Sequence, residues 1–274
     1  MQVVSTCLAR DLPIYQLTCR GLRTHLPDAE IHAITRRSDF EKFRDACGSE
    51  LRLWDEDTLV PEMTLASLRA HPLPFFPAGA GWYFQQFLKW GFIDVSNSDP
   101  HFLIWDADTV LLRPLELFDD TGTPFLTRAT EHHLPYFQTF EELVGEAAPE
   151  RGSFISQHQV VEKSILLELL DKIAEKSPSG RGWAWAIIEN LQGKGTNLFS
   201  EYETYGNFVQ LRHPENVSLR GLPWTRDGRK LAGKHPSPSA LAKLAEHHAF
   251  AAFESNKSLR GVCVNRLRKL LNWY

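Results

Sequence analysis

Two aspartates close an apolar run in Phe102-Leu103-Ile104-Trp105-Asp106-Ala107-Asp108-Thr109-Val110-Leu111. Carboxylates at the carboxyl end of a buried strand lie where α/β sheets place their ligands. Alternate residues of a regular strand point to one face, so both side chains can converge on a single ion. Oxygen donors of this kind suit hard divalent cations, Mg2+ or Mn2+, which share their shell with substrate phosphates. An Asp-x-Asp pair also occurs in ordinary turns. The apolar strand before it and the Thr-Val-Leu-Leu after it favour a functional reading.

The elements that must carry this pair follow from the pattern around it. Val3 to Leu8 reads as a strand, Leu12 to Leu26 as a helix with Pro13 in its first turn, and Glu30 to Thr35 as a second strand. A helix over Asp39 to Ala46 and a third strand over Leu51 to Trp54 come next, with Pro72, Pro74 and Pro77 marking a loop. Strands alternating with helices imply βαβ units and a parallel sheet. A helix over Trp82 to Phe92 places Phe84, Phe87, Leu88 and Gly91 on one face. Trp82, Gln85, Gln86 and Lys89 share the other, which suits either solvent or the wall of a polar cleft. Gln159 to Lys176 reads as one structural helix, with Val161, Ile165, Leu169 and Ile173 at i, i+4 spacing. Residues 234–240 read as a flexible loop.

Composition narrows the class. The chain has 274 residues, 43% hydrophobic and 23% charged, ordinary for a globular protein and within the range of one large domain or two small ones. A net charge of -4 disfavours a nucleic-acid binder. The longest apolar runs fall short of the ~18 residues that span a bilayer, and the start lacks a basic, apolar signal pattern, so a cytoplasmic location is expected. Cys7, Cys19, Cys47 and Cys263 have no zinc or redox spacing and read as reduced thiols.

Three stretches together resemble one family: Gly81-Trp82-Tyr83-Phe84-Gln85-Gln86-Phe87-Leu88-Lys89, Trp105-Asp106-Ala107-Asp108-Thr109-Val110 and Ser200-Glu201-Tyr202-Glu203-Thr204-Tyr205-Gly206-Asn207. It is a family of bacterial glycosyltransferase-like proteins of the GT-A fold, associated with surface polysaccharide genes. The resemblance runs over about residues 1–256. It implies one α/β domain with a Rossmann-type mixed sheet flanked by helices, residues 1–110 forming a nucleotide-binding half and 111–256 an acceptor half. The implied reaction moves a sugar from a nucleotide donor, with uridine diphosphate expected, to a glycan or lipid-linked acceptor. A divalent ion would stabilise charge on the leaving diphosphate.

The resemblance also implies roles. Asp108 would bind the metal directly, and Asp106 the metal or the ribose. A third metal contact would come late in the chain, from His213, His235, His247 or, as first choice, His248. Donor contacts would come from Ser5, Thr6, Arg10 and Asp11 after the first strand, from Gln85, Gln86 and Lys89, from Trp105, and from Lys257. An inverting transfer needs a base. Glu201 is preferred over Glu203, since Ser200-x-x-Glu203 forms a capping box that would occupy Glu203. Gln157, His158 and Tyr205 are expected on the acceptor side; helix capping is the plain reading of the first two.

Residues 257–274 carry Lys257, Arg260, Arg266, Arg268 and Lys269 among Leu259, Val262, Leu267, Leu270, Leu271 and Trp273, with no acid. This basic amphipathic tail suits either a closing helix or weak contact with an anionic membrane surface. Two other readings stay open. One is a haloacid-dehalogenase-like phosphatase with Asp106 as nucleophile, although its downstream acidic cluster is missing. The other is a catalytically silent sugar-nucleotide binder. A dehydrogenase is disfavoured because no Gly-x-Gly-x-x-Gly follows the first strand.

Overall fold

The computed structural model describes residues 1–73, 76, 79–149 and 152–254. The chain runs β1 (Gln2–Thr6), α1 (Leu12–His25), β2 (Glu30–Thr35), α2 (Phe40–Cys47), β3 (Arg52–Asp55), α3 (Leu65–Arg69) and α4 (Ala80–Gly91). It continues through β4 (His101–Trp105), β5 (Thr109–Leu111), β6 (Phe125–Thr127), α5 (Leu134–Val144), β7 (His158–Glu162), α6 (Lys163–Ala174), α7 (Trp183–Glu189) and α8 (Glu201–Arg212). The described part closes with β8 (Ser218–Arg220), β9 (Trp224–Thr225), α9 (Gly228–Ala232), α10 (Pro238–Ala245) and β10 (Phe250–Ala252).

The main sheet has the order β3-β2-β1-β4-β7, parallel except for β7, which pairs antiparallel with β4. Its residues alternate between two cores, as the pleat demands. Val4, Ile34, Phe102, Ile104 and Val161 enter the larger core with α4 to α8. Val3, Ala33, Leu103, Trp105 and Val160 face α1 and α2. Burial on both faces explains the near-continuous apolar runs of β1 and β4. The expected α/β mixed sheet flanked by helices is the observed architecture.

Two small sheets, β5-β10-β9 and β6-β8, accompany the main one, the first beginning just after the turn that ends β4. Helix α1 is pressed onto β5 so closely that a Cβ at Gly21 would come within 2.4 Å of the Leu111 carbonyl oxygen. Two sequence expectations change. The single helix over Gln159–Lys176 is strand β7 followed by α6, because the Val160-Val161 pair zips onto β4 before the helix starts. The supposed loop at 234–240 includes the start of α10, whose Ser237 hydroxyl accepts from the Ala240 amide (3.2 Å) ahead of Pro238 at the first turn. Cys7, Cys19 and Cys47 are buried and free. Among the described residues, no helix is long and apolar enough to cross a membrane. Lys257 and the basic tail lie outside the described residues, as does Cys263.

Candidate functional site

Strand β4 ends at Trp105, and Asp106 to Asp108 form a turn rather than more strand: the Thr109 amide bonds back to the Asp106 carbonyl (3.0 Å). The same turn aims the two carboxylates differently. Asp106 continues the alternation of Phe102 and Ile104 and so faces α4. There it meets Lys89, whose side chain is only 5% exposed. Lys89 Nζ donates to Asp106 Oδ1 (2.5 Å) and to Glu201 Oε1 (2.6 Å), and lies 4.6 Å from the centre of the Tyr202 ring. The Tyr202 hydroxyl donates to the same Asp106 oxygen (2.8 Å). Burial pulls the Lys89 pKa down, but Asp106 and Glu201 outweigh it and hold the ammonium above its usual range. A buried charge persists only when paired in this way.

The other oxygen of Asp106 belongs to Gln157. With its amide oriented to satisfy both neighbours, the Gln157 nitrogen donates to Asp106 Oδ2 (3.1 Å) and its oxygen accepts from Arg226 Nη2 (3.2 Å). Gln157 holds a left-handed backbone, φ 67°, rare for a residue with a side chain. Its carbonyl accepts from the Asp106 amide (2.9 Å), so this bent backbone is fastened to the start of the turn.

These groups surround a cleft of about 400 Å3 at the carboxyl ends of β1 and β4. The full polar face read on α4 lines it: Trp82, Gln85, Gln86 and Lys89. So do Thr6, Asp106, Asp108, Gln157 and Glu201. Among the described residues, its walls hold five carboxylates (Asp106, Asp108, Glu131, Glu201, Glu254) against two cations, Lys89 and Arg226. Asp108 is pushed up to about 7, first by burial and then by Asp106 and Glu254. Glu254 is also raised, first by burial. Among the described residues no cation lies within ion-pair distance of Asp108.

Other expected site residues point elsewhere. Trp105 is fully buried, its indole nitrogen donating to the Thr109 carbonyl (2.7 Å), so its side chain faces the core and not the cleft. Ser5 is fully buried, and Arg10 and Asp11 pair with each other at the surface (3.2 Å); none of the three lines the cleft. His158 begins β7 directly opposite Trp105 and shares that inward direction, its ring bonded to Thr127 (3.2 Å) and the Ser156 carbonyl (3.0 Å). The Tyr205 hydroxyl accepts from the Glu162 amide inside the core (2.8 Å). Glu203 does not close the capping box. Ser200 accepts from its amide (3.4 Å), but the Glu203 carboxylate turns to the Phe154 amide (3.1 Å), and burial pushes its pKa up to about 7. Glu201 lies in the cleft but is paired with Lys89 rather than free, and its amide is capped by Gln86 (3.0 Å).

His248 is half-buried ahead of β10 and does not line the cleft. Strand β10 runs antiparallel to β5, with Phe250 opposite Leu111 and Ala252 opposite Thr109, and the Phe253 amide reaches the Asp108 carbonyl (2.7 Å). The chain therefore approaches the aspartates as its number rises. At roughly 3.3 Å per residue, the residue delivered to them is Glu254, six positions after His248. Sequence reasoning missed Glu254, Glu131, Arg226 and Tyr202. Glu254 carried a legible signal: it ends the apolar run Ala249–Phe253 as Asp106 ends Phe102–Trp105. Glu131 and Arg226 lie between short elements, with no periodicity to flag them.

The donor set fits a hard divalent cation only in part. Among the described residues no three His, Cys, Asp or Glu side chains are grouped to hold a metal unaided. Asp108 and Glu254 are nevertheless two half-buried carboxylates on the same cleft, and the charge of Glu254 helps to raise Asp108. Mg2+ usually takes one or two carboxylates and completes its shell with phosphate and water.

The model of a family of unknown function, DUF6492, matches residues 4–258. No curated protein matches the chain. The fold is shared with a galactosyltransferase, LgtC, solved in complex with donor and acceptor sugar analogs: TM-score 0.51 and 10% identity over 98% of this chain and 95% of that one. An active-site mutant of LgtC gives a TM-score of 0.53 at 11% identity, with the same coverage. At such identity the likeness is one of fold, and the GT-A-like expectation for the fold holds.

Proposed function

The chain belongs to the DUF6492 family, whose function is unknown, so its chemistry rests on its own cleft, and we propose that it is a glycosyltransferase using a nucleotide-sugar donor. The reading is carried by one observation: a polar cleft at the carboxyl ends of β1 and β4 that gathers Asp108, with no cation beside it among the described residues, and Glu254, held only at 3.7 Å by Arg226, next to the locked pair Lys89–Asp106. The shared fold agrees with it. A bound Mg2+ or Mn2+ would offset the negative charge that grows on the departing diphosphate. Asp108 and Glu254 would hold it, while Asp106, with both oxygens engaged, fixes the cleft floor. Thr6 and the α4 amides Gln85 and Gln86 offer hydrogen bonds to the donor. Uridine diphosphate is the expected nucleotide, and a glycan or lipid-linked acceptor in bacterial surface polysaccharide synthesis the expected setting. The tail at 257–274 would add weak attachment to an anionic membrane.

The phosphatase alternative is weakened by the same geometry. Asp106 Oδ1 accepts from Lys89 and Tyr202, and Oδ2 from Gln157. Both oxygens are thus tied into the cleft wall, with one lone-pair site left on Oδ2. Thermal-shift titration with UDP, GDP, CMP and their sugars, each with and without Mn2+, tests the proposal. Stabilisation by a nucleotide that grows with Mn2+ is expected by mass action. No shift with any nucleotide, with or without the ion, overturns it. Nucleotide binding without transfer or donor hydrolysis identifies a silent binder.

A further inference from the structure

A second cavity of about 450 Å3 adjoins the cleft and shares three wall residues with it: Glu131, Ile155 and Arg226. Arg226 holds this junction together. It pairs with Glu131 (2.7 Å) and Glu254 (3.7 Å), and reaches Gln157 (3.2 Å) and the Ile155 carbonyl (3.5 Å). Farther out, the wall changes character. Trp224 is half-buried, braced from behind by Phe250 with ring centres 5.4 Å apart and planes at 22°. Thr130 and Thr225 supply hydroxyls and Arg128 a cation. A braced aromatic surface ringed by hydroxyl and guanidinium groups suits a pyranose, which offers an apolar C–H face and a polar rim. Among the described residues, Glu131 is the one acid that lines both cavities.

We propose that this second cavity is the acceptor site, that it takes a pyranose ring against Trp224, and that Glu131 takes the proton of the acceptor hydroxyl at the junction. The inference rests on the glycosyltransferase reading. The acceptor O–H bond breaks and its proton passes to a Glu131 carboxylate oxygen. The acceptor oxygen bonds to the anomeric carbon, and the bond from that carbon to the diphosphate breaks, its electron pair leaving with the diphosphate. Glu131 then returns the proton to solvent. Glu201 does not line the second cavity and Glu203 lines neither, so neither is placed at the junction for this step. Arg226, 2.7 Å away, holds the Glu131 carboxylate at the junction.

The test uses the full chain and a panel of methyl hexopyranosides followed by saturation-transfer NMR, with UDP binding measured in parallel by thermal shift. Ring-proton signals are expected from at least one glycoside. They should be lost in Thr130→Trp, an exposed position whose new ring fills the cavity, and in Trp224→Ala, with the UDP shift retained. With a donor and the bound glycoside, Glu131→Gln should lower kcat by about 100-fold or more while the acceptor KM stays within about threefold. The inference is overturned if no glycoside binds, if Thr130→Trp binds glycoside as well as the parent, or if Glu131→Gln transfers at the parental rate. A missing UDP response with glycoside binding intact sinks the donor reading and leaves the second cavity standing as a sugar site.

Discussion

Lys89 is the residue on which the cleft floor depends. It was legible as the polar edge of an amphipathic helix, but its role was not. A lysine near a diphosphate is expected to face its ligand, whereas this one is buried against two carboxylates 17 and 112 positions away. Only the fold brings those acids to it. Replacing Lys89 by Met leaves Asp106 and Glu201 buried without their cation and should destabilise the protein by about 3–5 kcal/mol, read by urea denaturation. A smaller loss in the double variant Lys89→Met, Glu201→Gln would show that the penalty is the stranded charge. At the mouth of the cleft, Glu254→Gln should abolish the Mn2+-dependent part of the nucleotide shift, whereas His248→Ala should keep it. The reverse result would restore the histidine to the site.

Two buried titratable groups give stability opposite pH slopes. Burial lowers His158 from 6.5 to about 4, so between those values the unfolded chain binds a proton that the native chain does not. Stability therefore falls as pH drops from 6.5 towards 4, by about 3 kcal/mol in all. Glu203 is raised from 4.5 to about 7, so the native chain binds the extra proton and stability falls as pH rises through that range. In Glu203→Gln the second slope is gone, and denaturation midpoints measured from pH 4 to 7 should rise more steeply with pH than in the parent.

At the scale of elements, apolar runs identified β1, β2 and β4, because burial on both sheet faces leaves little room for polar residues. The series Val161, Ile165, Leu169, Ile173 was right about its direction: all four enter one core. It misassigned Val161 to a helix because a strand residue and the following helix can face the same core, and spacing alone does not separate them. The short strands β5, β6, β8, β9 and β10 carried too few residues for any period to show, and they bring Glu254 and Arg226 to the cleft. Helix α1 meets β5 at Gly21, where a Cβ would lie 2.4 Å from the Leu111 carbonyl oxygen. Gly21→Ala must push α1 off the strand that follows the aspartates. A loss of about 1–3 kcal/mol is expected by calorimetry, together with weaker nucleotide binding.

For the whole molecule, strand order decides which parts can move. The turn bearing Asp106 and Asp108 leaves β4, which is flanked by β1 and β7, and the Asp106 amide is bonded to Gln157. Opening that bond requires disturbing the middle of the sheet, whereas the exposed Thr130 lies on a wall between β6 and α5. Amide exchange in D2O should thus register two tempos, the Asp106 proton surviving almost until global unfolding and the Thr130 proton vanishing early. A floor this slow beneath walls this quick would let bulky guests come and go without the carboxylates ever losing their aim.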